Sequence, residues 1–212
     1  MAGDVPRIAI ILPAYNEELT LRDTMLEFHA VLPHAAIYVV DNNSTDATAA
    51  IAAETLGQLD CTGALISEPR QGKGFAVRRA FIDVDADIYV LADADLTYPA
   101  QSAPAMIDAV RSNAADMVVG DRHSEGHYQR ENQRPLHNFG NRLVQSLVNR
   151  LFGSRLVDIM SGYRVCSRQF VKNYPILVSG FQLETDMTLH ALQTRFRILD
   201  PRPGSVREYG VG

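Results

Sequence analysis

Residues 87–99 have the sequence Asp-Ile-Tyr-Val-Leu-Ala-Asp-Ala-Asp-Leu-Thr-Tyr-Pro, in which an apolar run is followed by two acids. The apolar run predicts a buried strand of a parallel sheet, and Pro99 prevents strand pairing from continuing. Open α/β sheets bind their ligands at the carboxyl ends of the strands, so Asp93 and Asp95 are expected to face a crevice. Carboxylate oxygens at that place suit Mg²⁺ or Mn²⁺ carrying a nucleotide diphosphate.

Apolar segments on either side of this strand alternate between strand-like and helix-like patterns. Strands are predicted at Ile8–Leu12, which reads as buried, and at Ile37–Val40, Ala64–Ile66 and Asp116–Val119. Between them, helical spacing predicts buried helix faces that contain Leu21, Met25, Phe28 and Leu32, then Ala76, Val77, Ala80, Phe81 and Val84, then Met106, Ile107 and Val110.

One more helix is predicted after the second strand, with Ser44 or Thr45 as its N-cap and an end near Gly57. Strands and helices therefore alternate along the chain. This order indicates right-handed βαβ units, and hence an α/β fold with a mostly parallel sheet flanked by helices.

Composition limits the classes of protein to which the chain can belong. Its 212 residues, 46% of them hydrophobic, suffice for one well-buried α/β domain and are few for two. The net charge of -5 gives no electrostatic reason to expect a nucleic-acid partner. Cys61 and Cys166 form no disulfide framework and fit a reducing compartment. The N-terminus lacks a signal-peptide pattern and no apolar run approaches the roughly 18 residues of a membrane span, so a soluble or peripheral intracellular protein is expected.

Polar side chains follow each of the first four predicted strands. The segments concerned are 13–18, 41–46, 68–74 and 93–95. Because the carboxyl ends of parallel strands meet at one edge of a sheet, these loops should form a single binding rim. Each loop taken alone also has a structural explanation, as a turn, a helix cap or a favourable first helical turn. Their joint position beside the two acids favours a binding site.

The four rim segments contain Leu-Pro-Ala-Tyr-Asn-Glu-Glu, Val-Val-Asp-Asn-Asn-Ser-Thr-Asp, Gln-Gly-Lys-Gly and Ala-Asp-Ala-Asp-Leu. Together they resemble the nucleotide-sugar half of family 2 glycosyltransferases, which have the GT-A fold. Residues 120–122, 141–142, 158–164 and 180–186 resemble the dolichol-phosphate mannosyltransferase-like branch of that family, which glycosylates polyprenyl phosphates. The resemblance extends over residues 8–205, nearly the whole chain.

This resemblance implies one catalytic domain, 1–212, with a nucleotide-sugar-binding half at 1–120 and an acceptor-binding half at 121–212. It implies that the base and ribose of the donor are held by Pro13, Tyr15, Glu17 and Asp41. The nucleotide-sugar site would also include Asn43, Lys73 and Asp93. The metal, Mg²⁺ or Mn²⁺, would be bound by Asp93 and Asp95.

Two residues depart from the family pattern on the donor side. Thr97 stands where a Gln often completes the metal shell, so water is expected to take that position. Asn42 and Asn43 replace an acid and a glycine of the commoner Asp-Asp-Gly-Ser motif. The resemblance therefore does not specify the nucleotide base, and both UDP-sugars and GDP-sugars remain candidate donors.

On the acceptor side, the resemblance implies a lipid phosphate held by Arg122, Arg142 and Ser146. Guanidinium groups bind phosphate oxygens bidentately, and a hydroxyl adds a third contact. The surrounding segment has apolar residues at four-residue spacing, and it either lies in a membrane interface or packs as a core helix. These apolar residues are Phe139, Leu143, Leu147 and Leu151. The expected location is cytoplasmic and peripheral, at the inner membrane face, in cell-envelope glycan synthesis.

The implied reaction is a direct displacement at the anomeric carbon of the sugar, with inversion. The expected catalytic residues are Asp95, Asp158 and Arg122, of which Asp158 positions an arginine or takes a proton. A phosphate acceptor has a second pKa of ~6 and needs no strong base. A saccharide hydroxyl needs one, and the candidates are Asp158, Glu184 and Asp186. Glu184 is also placed to stabilise the start of a helix.

Three other functions remain open from the sequence. Within the same enzyme class, the acceptor could be a saccharide hydroxyl. A nucleotidyltransferase would use a similar crevice, but no glycine-rich loop follows the first strand. A non-catalytic nucleotide-sugar-binding module is favoured only by the C-terminus, where 202–207 resembles a shortened form of the basic loop that closes over the pyrophosphate. The sugar, the base, the lipid length and the oligomeric state are not determined.

Overall fold

Seven strands form one sheet in the computed structural model, which describes residues 5–120, 159–180 and 182–199 together with Val148 and Arg150. The strands are β1 (Ile8–Ala14), β2 (Ala36–Asp41), β3 (Gly63–Ser67), β4 (Ile88–Leu91), β5 (Met117–Val119), β6 (Arg164–Ser167) and β7 (Ile198–Leu199). Their order is β3-β2-β1-β4-β6-β5-β7. Strand β6 is antiparallel to both of its neighbours, and the other pairs are parallel. The predicted mostly parallel α/β sheet is confirmed.

Helices cover both faces of this sheet. They are α1 (Leu21–Val31), α2 (Thr48–Gln58), α3 (Lys73–Asp83), α4 (Ala103–Arg111), α5 (Arg168–Asn173) and α6 (Leu183–Gln193), with a 3₁₀ turn at Ala100–Ser102. One core cluster packs α1, α2 and α4 against one face of the sheet, and a second packs α3, α5 and α6 against the other. The helix faces predicted from apolar spacing are the buried faces, because burying them removes apolar area from water on both sides.

The predicted N-cap of α2 is wrong. The helix begins at Thr48, whose N–H donates to Asp46 Oδ1 at 3.0 Å. Ser44 Oγ instead accepts a hydrogen bond from the Asn16 N–H at 3.1 Å, and the Thr45 N–H donates to Asn16 Oδ1 at 2.9 Å. The side chains expected at the cap therefore join the loop after β2 to the loop after β1. Ser44 and Thr45 thus bond to Asn16 in a distant loop and not to the first turn of α2.

Two strands were not predicted, and one of them completes the rim. Antiparallel β6 begins at Arg164, which pairs with Leu91 at the carboxyl end of β4. The segment before β6, 159–163, is thereby brought beside the loop that carries Asp93 and Asp95. Ala14 and Asp41, the last residues of β1 and β2, pair in parallel register. The loops that follow these two strands therefore begin at this same edge of the sheet.

Of the predicted helix around 139–152, the structure describes two residues. Val148 is buried in the cluster that contains α3, α5 and α6, and Arg150 is exposed. The other residues of that segment lie outside the described part of the chain. Within the described residues, no helix has the length and apolar character needed to cross a membrane.

Candidate active site

A cavity of about 680 Å³ lies at the carboxyl ends of β1, β2 and β4. Each of the four predicted rim loops contributes residues to this cavity. The segment before β6 and the start of α6 contribute as well. Its walls are formed by Pro13, Ala14, Tyr15, Glu17, Asn42, Gln71, Gly72, Lys73, Asp93, Ala94, Asp95, Tyr98, Met160, Gly162, Gly180 and Glu184. The single rim expected from the sequence is therefore present.

Six of the predicted donor-site residues line this cavity, and two do not. The six are Pro13, Tyr15, Glu17, Lys73, Asp93 and Asp95. Asp41 is buried, and its Oδ1 accepts from the Ser44 N–H at 3.2 Å. Asn43 is exposed with a left-handed backbone, φ 63°. The predicted acceptor and catalytic residues Arg122, Arg142, Ser146 and Asp158 lie outside the described residues, as does the segment 202–207.

The loop after β4 turns Asp95 toward solvent at the cavity mouth. Asp95 is exposed, and its Oδ1 accepts from the Thr97 N–H at 3.0 Å. Leu96, between them, has φ 61°, a left-handed conformation that a branched side chain rarely adopts. Such strain persists where the surrounding structure imposes it, and it occurs preferentially at functional sites. The Asp95 carboxylate is thus held in place by its own loop.

Lys73 joins three separate elements at the centre of the cavity. It is the first residue of α3, and its Nζ lies 2.5 Å from Asp93 Oδ1 and 2.6 Å from Glu184 Oε1. Burial opposes the charged form of Lys73, but the two carboxylates outweigh it and raise the pKa above its usual value. Burial also raises the pKa of Asp93, although Lys73 counteracts part of that rise. A cation at a helix N-terminus is unfavourable without such partners.

The cavity carries more negative than positive charge. Among the described residues that line it, four carboxylates accompany the single ammonium of Lys73: Glu17, Asp93, Asp95 and Glu184. Burial raises the pKa of Glu17, the Thr20 hydroxyl opposes that rise, and Asp95 and Asp93 add to it. An excess of carboxylate oxygens in a cleft fits a hard divalent cation. No set of three or more His, Cys, Asp or Glu converges on one point in the described ranges, so a cation there would need further ligands from its substrate or water.

Asn42 supports the loop that carries Lys73, a role that the sequence did not reveal. Its Nδ2 donates to the carbonyls of Glu68 and Arg70 at 3.3 and 2.7 Å, and its Oδ1 accepts from the Gly72 N–H at 2.7 Å. An aspartate could not donate to two carbonyls. This geometry explains why an amide, and not the commoner acid, stands at position 42.

An ion pair between buried Glu68 and the more exposed Arg70 supports the same loop. Glu68 is buried, and the Arg70 guanidinium donates to its two oxygens at 2.8 and 2.9 Å. These bonds lower the pKa of Glu68 to about 2. The arginine side chain itself lies largely in solvent, over the ring of Phe75.

Arg164 fixes the floor of the cavity. It is fully buried, and its guanidinium donates to the carbonyls of Ser161 and Ile159 at 3.0 and 2.8 Å and to Thr188 Oγ1 at 3.0 Å. It thereby ties the 159–162 segment to α6. The Tyr98 hydroxyl accepts from the Gly162 N–H at 2.8 Å on the opposite side. The sequence indicates this segment only as part of the 158–164 motif, and it indicates no individual role for residues 159–162.

This chain is similar to known proteins in three respects: it matches a family profile, it has relatives in sequence, and it shares its fold with solved structures. The profile of the family described as Glycosyl transferase family 2 matches residues 9–174. Protein RfbJ of Shigella flexneri is 48% identical over 119 residues, which are 56% of this chain and 88% of that protein. The low-salt glycan biosynthesis hexosyltransferase Agl6 of Haloferax volcanii is 34% identical over 191 residues, 88% of this chain; the chain spans 44% of Agl6.

A third relative covers nearly the whole chain. Polyprenol monophosphomannose synthase of Mycolicibacterium smegmatis is 27% identical over 214 residues, 97% of this chain and 80% of that protein. Among solved structures, glucosyl-3-phosphoglycerate synthase from Mycobacterium tuberculosis in complex with Mn²⁺, UDP-glucose and phosphoglyceric acid superposes with a TM-score of 0.72. The sequence identity is 20%, and the match covers 93% of this chain and 73% of the other. At this identity the similarity shows a shared fold.

Proposed function

This chain belongs to glycosyl transferase family 2, and on that premise we propose that it transfers a hexose from a UDP- or GDP-sugar to a polyprenyl or dolichyl phosphate. The family expected from the rim motifs is confirmed by the profile match. The observation that carries the proposal is the acid-rich cavity at the carboxyl ends of β1, β2 and β4, with Asp95 at its mouth and Lys73 at its centre. In the proposed reaction, a phosphate oxygen of the acceptor bonds to the anomeric carbon while the bond to the nucleoside diphosphate breaks, with inversion.

The donor site is formed by residues of the first half of the chain. Pro13, Tyr15 and Glu17 contact the base and ribose, and Lys73 lies where the diphosphate of the donor would be bound. Asp95 and Asp93 would hold Mg²⁺ or Mn²⁺, with Asp95 the more accessible because it is exposed and Asp93 is bonded to Lys73. A bound divalent cation would offset the charge that develops on the departing diphosphate. Asp41 and Asn43 are proposed to contact the nucleotide from the same loop as Asn42, which lines the cavity.

The proposed acceptor is a lipid phosphate, gripped by Arg122, Arg142 and Ser146 of the second half, with Asp158 positioning one of the arginines. The motif resemblance supports this, as does the similarity to the protein named polyprenol monophosphomannose synthase. A lipid substrate implies peripheral contact with the cytoplasmic face of a membrane. Because a phosphate dianion is already nucleophilic, no general base is required.

A saccharide hydroxyl as acceptor is the second candidate, and it requires a base. Two of the three candidate bases are described, and both are engaged. Glu184 is buried and paired with Lys73, and Asp186 Oδ2 accepts from the Tyr174 hydroxyl at 2.6 Å. Either carboxylate would have to share or give up these partners to take a proton from an acceptor, whereas a phosphate acceptor makes no such demand.

The proposal is tested with a panel of UDP- and GDP-sugars, each offered with Mn²⁺ and either a short-chain polyprenyl phosphate or a set of oligosaccharides. Mass spectrometry of both acceptor fractions identifies the product. We expect one donor to give a hexosyl polyprenyl phosphate, and the oligosaccharides to remain unchanged. Glycosylated oligosaccharide without lipid product would favour the second candidate. A parallel incubation of a sugar phosphate with nucleoside triphosphates tests for nucleotidyltransferase activity, which would release pyrophosphate.

A further inference from the structure

We infer that Glu184 is a positioning residue, which holds the Lys73 ammonium in place against Asp93 and thereby connects helix α6 with the donor site. This inference rests on the proposed function, because Lys73 is taken to face the diphosphate of the donor. It assigns Glu184 neither to proton transfer nor to helix capping. Three observations carry it: the ion-pair geometry, the fixed surroundings of Glu184 and the packing around Asp93.

The ion-pair geometry places Lys73 between two carboxylates from different elements. Asp93 comes from the loop after β4 and Glu184 from the first turn of α6, and both lie within 2.6 Å of Nζ. An ammonium has three N–H donors, so these contacts leave one for a ligand in the cavity. A lysine on a flexible four-carbon stem held by one carboxylate could still turn about that contact. The second carboxylate fixes the direction of the third donor.

Glu184 is itself held so that it can act as a fixed point. Its side chain is 6% exposed, which separates the carboxylate from bulk water. Its backbone carbonyl accepts from Thr188 Oγ1 at 3.0 Å, and that hydroxyl accepts from the buried Arg164 at 3.0 Å. The first turn of α6 is therefore tied to the cavity floor. The Glu184 backbone is therefore a fixed point from which its carboxylate reaches Lys73.

Asp93 is confined between Lys73 and the backbone of Gly162. Its Oδ1 is bonded to Lys73, and a β-carbon built on Gly162 would lie 2.6 Å from its Oδ2. The same β-carbon would lie 2.8 Å from Lys73 Nζ. A shift of the ammonium after loss of Glu184 would therefore change the contacts of Asp93 as well. Glu184 acts on the donor site through Lys73.

A double-mutant cycle tests this dependence. We would compare the wild type with Glu184→Gln, Lys73→Met and the double variant, measuring calorimetric binding of UDP and GDP with Mn²⁺ and, separately, kcat for transfer. Loss of an oriented charge-assisted contact should weaken nucleotide binding about tenfold in each single variant. If Glu184 acts only through Lys73, the double variant should match Lys73→Met within a factor of about two, since the second change removes nothing further.

A matched acid-to-amide change provides the control. Glu54 pairs with Arg22 at 2.6 Å on the exposed surface of α2, so Glu54→Gln should leave both measurements unchanged. The inference would be overturned if Glu184→Gln left nucleotide binding unchanged. It would also be overturned if the losses in kcat of the two single variants multiplied in the double variant, because that pattern is expected of an independent general base. If Lys73→Met does not fold, Lys73→Gln, which keeps a polar side chain and removes the charge, gives the same comparison with and without Glu184→Gln.

The binding measurement separates failure of this inference from failure of the proposed function. Nucleotide affinity requires no knowledge of the acceptor. If the wild type binds neither UDP nor GDP with Mn²⁺, the donor assignment fails, and the positioning role of Glu184 fails with it. If it binds one of them and glycosylates no polyprenyl phosphate, only the acceptor assignment fails, and the cycle still decides the role of Glu184.

Discussion

The backbone of Gly162 approaches the Asp93 carboxylate so closely that a β-carbon at position 162 would lie 2.6 Å from Asp93 Oδ2. This distance is shorter than any normal carbon–oxygen contact, and neither partner can move freely. Gly162 donates its N–H to the Tyr98 hydroxyl, and Asp93 is bonded to Lys73. Gly162 is thus required for the close approach of the cavity floor to the Asp93 carboxylate and the Lys73 ammonium.

Gly162→Ala should therefore disrupt the site while leaving the fold intact. The added methyl group pushes Asp93 and Lys73 apart, and we expect transfer to fall at least tenfold, the loss caused by removing one charge-assisted contact. Steady-state transfer and circular dichroism would be measured on the same preparation. Gly57→Ala is the matched control, because a β-carbon at Gly57 in α2 meets nothing within 4 Å and should stabilise the helix slightly. Equal activity of the two variants would contradict the proposed floor.

Asn42→Asp should destabilise the protein. The change removes the donors to the Glu68 and Arg70 carbonyls and sets a carboxylate oxygen against these two carbonyl oxygens. Leaving buried groups unsatisfied costs about 1–3 kcal/mol, so the free energy of unfolding in urea should fall by that amount. Gln169→Glu, an amide-to-acid change at an exposed position of α5, should change it by less than about 0.5 kcal/mol. An unchanged urea midpoint for Asn42→Asp would show that the amide does not hold the loop.

The Glu68–Arg70 pair predicts a pH dependence of stability. Arg70 lowers the pKa of Glu68 from 4.5 to about 2 in the folded state. A depressed folded pKa contributes stability above the unfolded value, and this contribution is lost as pH falls from about 4.5 toward 2. The difference in unfolding free energy between the wild type and Glu68→Gln should be full at neutral pH and shrink across that interval. A difference that stays constant over the same pH range would argue against the pair.

Removal of divalent cations should stop transfer. We expect EDTA to abolish activity, Mg²⁺ or Mn²⁺ to restore it and Zn²⁺ to fail, because the described residues that line the cavity offer carboxylates and neither His nor Cys. The measurement is initial rate after dialysis against chelator and re-addition of each cation. Full activity in metal-free buffer would refute the assignment of Asp93 and Asp95.

The parts of the fold that follow local patterns were predictable, and those that depend on distant contacts were not. Strands β1, β2 and β4 are recognisable in the sequence as apolar runs. The polar residues that follow each of them predict the binding rim. Strand β6 begins with Arg164, a charged residue that is nevertheless fully buried, so its pattern does not indicate a core strand. Strand β7 has two residues, too few for any periodicity. Polar residues at strand ends can be recognised from the local sequence. The antiparallel position of β6 between β4 and β5 depends on tertiary contacts, which the local sequence does not show.

The same distinction applies to the site. Lys73, Asp93 and Asp95 were recognisable from short motifs, whereas the bond between Lys73 and Glu184 joins residues that lie far apart in the chain. One sequence signal was available: a lysine at the first position of α3, beside the positive end of the helix dipole, needs negative partners. The sequence could indicate that such partners exist, but only the fold identifies Glu184 as one of them.

The most direct test of the account is the mass spectrum of a short-chain polyprenyl phosphate incubated with the preferred nucleotide-sugar and Mn²⁺, with wild type and with Asp95→Asn in parallel. We predict that the wild type converts the lipid phosphate to its hexosyl ester and releases one nucleoside diphosphate per product. Asp95→Asn, equally folded, should form none. Lipid product of equal yield from Asp95→Asn, or hexose recovered only on a saccharide acceptor, would contradict the account.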